Sequence, residues 1–237
     1  MLIAFLSLLS QSPAFAGERF LAWSYGAATV AGGTMELEPI STMKLPLGGD
    51  AQWTHEVELE FGITSSLEGG LYLVSKQEGA EALTFAAYKA RLRYRPLPLG
   101  TLPVDLAVYL EYIGSPTLDS HGAELKLIAA REGKALRAAL NATFELETGP
   151  EGLEMVLEPT AGVMGRATSW LALGAEGKFE AVLVPSEGGP YAWAGPSIHL
   201  AGTDGALNGT VSVLYGLTPA SRDDAAIQAR VLLGIHL

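Results

Sequence analysis

The sequence predicts an all-β fold, a closed antiparallel up-and-down transmembrane β-barrel of about twelve strands. Three observations predict it: apolar and polar residues alternate with a period of two, the alternating runs have similar lengths, and the last run continues to the final residue.

The alternation is clearest where charge is densest. Trp53, His55, Val57, Leu59, Phe61 and Ile63 interleave with Glu56, Glu58, Glu60 and Gly62, while Tyr88, Ala90, Leu92 and Tyr94 interleave with Lys89, Arg91, Arg93 and Arg95. A helix would scatter either set around its axis, whereas a strand sorts it onto two faces. Val104, Leu106, Val108, Leu110 and Tyr112 oppose Asp105 and Glu111 in the same way. Leu136, Ala138, Leu140, Ala142, Phe144 and Leu146 oppose Arg137, Asn141, Thr143, Glu145 and Glu147. From Ile227 to Leu237 every odd position is apolar, against Gln228, Arg230, Gly234 and His236, with Leu232 as the one apolar member of the other face.

Boundaries set by Gly, Pro and charged turns place strands near 33–43, 52–63, 67–76, 81–95, 103–113, 121–131, 134–147, 152–165, 168–180, 190–200, 205–216 and 225–237. An even number brings both ends to the same side. Short links at 64–66, 132–133 and 165–167 largely alternate with longer ones near 44–51, 114–120, 181–189 and 217–224. The exceptions are a long link from Pro96 to Pro103 and a brief one at 148–151.

Residues 1–16, MLIAFLSLLSQSPAFA, are apolar and end in the small-x-small pattern Ala14-Phe15-Ala16, which reads as a signal peptide. Residues 17–32 follow as a periplasmic N-terminal segment, and 33–237 as the barrel. The apolar stretch FLAWSYGAATV within that segment also fits an additional strand or a piece packed under the barrel mouth. Beyond the leader no run approaches the roughly 18 apolar residues of a spanning helix.

Alternation alone does not say which face meets water, because a soluble barrel or sandwich turns its apolar face inward. The leader, however, directs export. Many runs reach the roughly 9–11 residues that cross a bilayer obliquely, against about 5–6 in soluble strands. A final strand that alternates to its end suits closure on the first strand, which leaves no edge in lipid. The proposed outer face is nearly free of charge, and its aromatic residues lie toward strand ends, where interfacial girdles sit.

With the apolar faces toward lipid, the charged faces enclose the lumen. Its expected lining is Glu56, Glu58, Glu60, Lys89, Arg91, Arg93, Arg95, Glu111, Glu124, Lys126, Arg137, Glu145, Glu147, Glu176, Lys178 and Arg230, with Glu36, Glu38, Glu154, Glu158 and Glu180 on the same faces. Such charges must be watered or paired. The acidic row at 56, 58 and 60 and the basic row from 89 to 95 belong to non-sequential strands, so two arrangements stay open. They seal a narrow bore with ion pairs, or they line opposite walls of a wet channel, where the acidic excess favours cations.

A net charge of −11, with basic residues set singly in strand-like runs, excludes a nucleic-acid partner. The absence of cysteine excludes disulfides and Cys-based zinc sites or nucleophiles. No HExxH, GxSxG, Walker A or EF-hand pattern occurs, and no catalytic residue, cofactor or metal is expected. Ser197 and His199 share a face and invite comparison with a barrel-embedded acyl hydrolase, but a lipid-directed catalyst would present them outward.

Four short segments carry a resemblance. Phe61-Gly62-Ile63-Thr64, before Leu71-Tyr72-Leu73, and Tyr215-Gly216-Leu217-Thr218 resemble the strand-ending corner of bacterial outer-membrane barrels of the broad transporter/porin-like class. Gly195-Pro196-Ser197-Ile198 looks like a segment of that class, and Gly234-Ile235-His236-Leu237 resembles its C-terminal assembly signature, with Leu where Phe is usual. The resemblance implies the outer membrane of a Gram-negative bacterium, outer-membrane lipid and the barrel-assembly machinery as partners, and passage of a small polar solute. It carries over no substrate-binding residue. The leading expectation is therefore a channel or transporter for small polar or charged solutes; a sealed structural or adhesive barrel is the alternative, and an outer-membrane acyl hydrolase a distant third.

Overall fold

The computed structural model describes residues 19–150, 152–185, 189–202 and 206–237. The leader expected at 1–16, and Gly17 after it, lie outside the described residues. Twelve strands form one closed barrel in which every strand pairs antiparallel with its sequence neighbour. They are β1 (Met35–Leu45), β2 (Gln52–Gly62), β3 (Leu67–Glu78), β4 (Thr84–Tyr94), β5 (Asp105–Gly114) and β6 (His121–Glu132), then β7 (Leu136–Gly149), β8 (Gly152–Arg166), β9 (Leu171–Val184), β10 (Tyr191–Ala201), β11 (Leu207–Gly216) and β12 (Ile227–His236). Each strand falls within four residues of its expected boundaries. Closure comes from β1 against β12, with Ile40 opposite Leu232 and Thr42 opposite Arg230. No edge is left for lipid to desolvate.

Burial follows the two-residue period around the ring. On β5 the pattern runs buried, exposed, buried, exposed from Asp105 to Tyr112. On β2, Val57 is 47% exposed while Glu58 and Glu60 are fully buried, so the apolar set faces outward and the charged set inward. Leu71, Leu73, Leu92, Leu110, Leu127, Leu140, Val163, Leu173, Ile198, Val211 and Val231 continue the outer belt. Water would penalise so much exposed hydrocarbon, and a bilayer core removes the penalty. Tyr215 at one end and Tyr94 and Trp170 at the other stand where aromatic girdles meet the headgroups.

The link after β11, expected as an irregular loop, contains the short helix α1 (Pro219–Ala225). Thr218 caps it, accepting a hydrogen bond from the Ser221 N–H at 3.1 Å, with Pro219 in the first turn, where a missing N–H costs nothing. In the 115–120 loop, Ser115 donates to Asp119 at 2.7 Å, which holds the Asp119 carboxyl below the usual carboxylate range.

The largest departure from expectation concerns the segment assigned to the periplasm. Residues 19–30 form no strand and do not hang free: they run inside the barrel, with Phe20, Leu21, Trp23, Tyr25 and Val30 at most 7% exposed. The strap leaves the bore beside the β2–β3 turn, where Gly33 N–H donates to Gly62 O at 2.9 Å and Gly62 N–H to Thr34 O at 3.0 Å. A Cβ at Gly62 would collide with the Ala31 carbonyl, so the glycine of the Phe-Gly-Ile-Thr corner admits the strap.

The outward orientation predicts a depth-dependent response to charge. Leu73→Arg, in the middle of β3, should cost about 2–4 kcal/mol, and Leu153→Arg, at a strand end, about 0–1. Urea unfolding of protein refolded into lipid vesicles measures both, and equal costs would contradict the orientation.

Candidate functional site: an ion-paired bore closed by an internal strap

Register explains how rows on non-sequential strands meet. Glu60 of β2, Gly70 of β3 and Arg91 of β4 lie side by side across the sheet. Gly70 presents no side chain to the lumen, and a Cβ there would lie 2.6 Å from Arg91 Nε and 2.7 Å from Glu58 Oε1. Arg91 therefore reaches over β3. Its Nε donates to Glu58 Oε1 at 2.5 Å, Nη1 to Glu68 Oε1 at 2.6 Å, and Nη2 to Glu60. Arg93 Nη2 joins Glu68 at 2.8 Å. One strand position nearer the opposite rim, Tyr72 takes the place of Gly70 and Lys89 passes over its ring, pairing with Glu56 at 3.0 Å and Glu111 at 3.4 Å.

The other expected lining residues divide by position. Lys126 pairs with Glu124 at 2.9 Å, and Lys178 with Glu158 at 2.5 Å and Glu180 at 3.2 Å. Tyr109 donates to Glu111. Arg230 Nε donates to Thr42 Oγ1 at 2.8 Å, and the guanidinium lies 3.9 Å from the Trp23 ring centre. Glu145 is half-buried, and Glu147 is exposed near the outer end of β7. Arg137 stands with its guanidinium 5.2 Å from the Phe20 ring. Arg95 falls beyond β4, donating to Leu97 O at 2.7 Å and Ser65 O at 2.6 Å, so it braces two turns and does not line the bore.

Glu38, Glu58 and Glu60 bring carboxylate oxygens within 4.8 Å of one another, and Arg19 of the strap lies 3.4 Å from Glu38. Arg19 and Arg91 supply the opposing charge. Glu68, Gly70 and Tyr72 escaped sequence reasoning because β3 carries little charge, yet an inward glycine between an acidic and a basic row was the available signal.

The strap is held mainly by wall side chains. Ala22 and Trp23 N–H groups donate to the two oxygens of Glu176 at 3.0 and 2.7 Å. Asn141 clamps Tyr25 from both sides, accepting from its N–H at 2.6 Å and donating to its carbonyl at 3.0 Å. Val30 N–H donates to Glu68 Oε2 at 2.6 Å, and Ser24 Oγ to Thr160 Oγ1 at 3.1 Å. Backbone groups withdrawn from water need such partners, and nearly all come from the wall's polar inner face. Ser197 and His199 belong to this apparatus too. Ser197 donates to Glu176 Oε1 at 2.7 Å, while His199 Nδ1 contacts Thr210 Oγ1 at 2.9 Å as that hydroxyl donates to the Arg19 carbonyl. Both side chains face inward and are engaged with other partners, not with each other.

Hollows lie on either side of the strap along the bore. One, about 560 Å³, opens on the side of the longer links, with Trp23 on its floor and Lys44, Lys76, Lys89, Lys178 and Arg230 set against Glu56, Glu78 and Glu81. The other, about 260 Å³, lies among the short turns beside Phe20. Part of the acidic excess is withdrawn into the paired layer between β1 and β4, while Asp50, Glu78, Glu81, Asp119, Glu147 and Glu154 stay exposed on the side of the longer links.

This architecture defines an outer-membrane β-barrel with a porin-like fold, its apolar belt turned to lipid. Among solved structures it is similar to the NanC porin (10% identity, 86% of this chain and 100% of that one, TM-score 0.59) and to an outer-membrane channel from Pseudomonas putida F1 (9%, 88% and 97%, TM-score 0.60). The KdgM porin in complex with disordered oligogalacturonate is similar at 11% identity, 85% and 97% coverage and TM-score 0.55. No protein-family pattern and no curated protein matches the sequence. At these identities the likeness is one of fold.

Removing one member of a buried charge group leaves the others uncompensated. Arg91→Met should destabilise the barrel by about 3–5 kcal/mol. Combining it with Glu58→Gln and Glu60→Gln should recover part of the loss, and equilibrium unfolding of the three proteins measures the recovery.

Proposed function

We propose that the protein is a non-enzymatic outer-membrane channel for small polar or charged solutes, closed in this conformation by its own N-terminal strap. The observation that carries the reading is that the obstruction is not the wall itself. The bore is filled by residues 19–30, joined to the wall by side-chain hydrogen bonds and not by a strand ladder, with a charged hollow on either side of it along the bore. A few polar contacts can exchange for water as the strap moves. The similar fold of porins and channels supports this reading, and the C-terminal Gly-Ile-His-Leu supports insertion by the barrel-assembly machinery.

The second reading is a permanently sealed structural barrel, and the buried Arg91 network favours it, since four fully buried charges cross the space between β2 and β4. A cross-link separates the two. The protein has no cysteine, so Ser24→Cys with Thr160→Cys, whose present oxygens are 3.1 Å apart, gives one defined disulfide. In planar bilayers the reduced variant should show discrete openings that vanish on oxidation and return with reductant. Silence in both states would favour the sealed barrel.

A further inference from the structure

The paired layer between β1 and β4 is short of positive charge. Glu36, Glu38, Glu58, Glu60 and Glu68 are fully buried in it, beside the guanidiniums of Arg19, Arg91 and Arg93, none more than 3% exposed. Five carboxylates thus face three cations, and His236, 3.5 Å from Glu36, adds a charge only when protonated. All 15 Lys and Arg residues of the sequence lie among the described residues, and the ion pairs there bring no other one to these carboxylates. A deficit of two charges in a layer withdrawn from water is met by protons or by a bound cation.

Three carboxylates divide their oxygens in the same way. Glu38 gives Oε2 to Arg19, and Glu58 and Glu60 each give Oε1 to Arg91. Their other oxygens, Glu38 Oε1, Glu58 Oε2 and Glu60 Oε2, are buried with no hydrogen-bond partner. The wall adds a neutral group beside them. Asn208 of β11 is 5% exposed, and neither atom of its amide has a hydrogen-bond partner. It stands opposite Gly234 of β12, where a Cβ would lie 2.5 Å from Asn208 Nδ2, 2.8 Å from Asn208 Oδ1 and 2.5 Å from Glu36 Oε1. The bare glycine therefore lets the amide lean across β12 toward β1, where Glu36 and Glu38 stand opposite Glu60 and Glu58 of β2. Protons on the carboxylates would settle the charge and leave the amide unsatisfied, whereas a cation that prefers oxygen ligands settles both.

We propose that this face of the wall binds one calcium ion, held by Glu38, Glu58 and Glu60 with the carbonyl oxygen of Asn208 beside them. Carboxylate oxygens of the three glutamates lie within 4.8 Å of one another. That limit falls inside twice the calcium–oxygen distance of about 2.3–2.6 Å and beyond twice the magnesium–oxygen distance of about 2.0–2.1 Å. Magnesium also gives up its water reluctantly, and this layer is dry. No sequence spacing announces the site, because its oxygens come from β11, β1 and β2, which only closure of the barrel brings together. Glu38 also holds Arg19, so the ion fixes the layer to which the strap is anchored. The site does not rest on the channel reading.

Equilibrium dialysis against calcium chloride or magnesium chloride tests it on the full chain, refolded without metal into phosphatidylcholine vesicles, which carry no net charge. Calcium should bind saturably, one ion per chain, with magnesium at least about tenfold weaker. Saturating calcium should raise the urea midpoint of unfolding, and EDTA should reverse the rise. Asn208→Ala should weaken calcium about tenfold and leave the calcium-free midpoint unchanged or higher, because it removes no hydrogen bond; an amide with a structural role would lower that midpoint. Glu60→Gln should weaken calcium by about tenfold or more, while Arg91 keeps Glu58 and Glu68 as partners. Absence of one saturable site, equal affinity for magnesium, or unaltered calcium affinity in Asn208→Ala would each overturn the proposal. Binding needs no conduction, so a barrel that holds calcium but stays silent in the cross-link experiment removes the channel and keeps the site, and the reverse outcome removes the site alone.

Discussion

A charge enclosed by a protein wall in a membrane must be compensated nearby, and that constraint organises this molecule. The twelve-strand ring fixes which side chains face inward, and the narrow bore fixes how near they come. Burial makes an unpaired guanidinium or carboxylate costly by several kcal/mol. Arg91 meets the constraint with three carboxylates from two strands, which is possible only because Gly70 leaves the intervening strand bare. One missing side chain on β3 thus couples β2 to β4 and joins two opposed rows into one paired layer along the wall.

The same constraint accounts for the strap. Strands alternating apolar-out and polar-in give a membrane barrel a polar interior, and a segment entering it finds acceptors and donors already in place. Glu176, Asn141 and Glu68 each serve the strap backbone, and Ser197 supports Glu176 from the neighbouring strand. The strap brings apolar side chains in exchange. Phe20, Leu21 and Tyr25 pack with Tyr109, Ile128 and Met164, inward apolar residues that would otherwise face an aqueous bore. Tyr109 and Ile128 sit on the mostly polar faces of β5 and β6, and the strap explains why those positions are apolar.

The fold was legible because period two is a local property. Each run carries its own orientation, so the twelve strands and their outward faces could be read without knowing what any strand touched. The site was legible only where charge made a row. Glu58 and Arg91 were both visible, but their meeting depends on register across β3, and register is not written in either strand alone. The strap was hidden for a different reason. FLAWSYGAATV is too apolar for a free segment and too irregular for a strand, and its partners lie up to 208 residues away, as for Arg230 Nη1 and the Ala22 carbonyl. Arg95 shows the opposite error, since the alternation of the basic row continued past the point where Pro96 ends the strand.

Net charge is a poor guide to what such a barrel offers a solute. A molecule approaching either mouth meets only groups that reach water, and here pairing withdraws a compact set of carboxylates while others, such as Glu78, Asp119 and Glu154, stay exposed. Glu36, Glu38, Glu58, Glu60 and Glu68 are all fully buried, whereas Lys134 and Arg166 stand exposed at one mouth. Coulomb interactions weaken sharply in water and with salt, so the potential at a mouth reflects its own lining within about 8–10 Å more than the distant total. Buried acid and accessible base then have separate tasks. The first holds the wall and strap together, and the second contributes to the potential at the mouth where it stands.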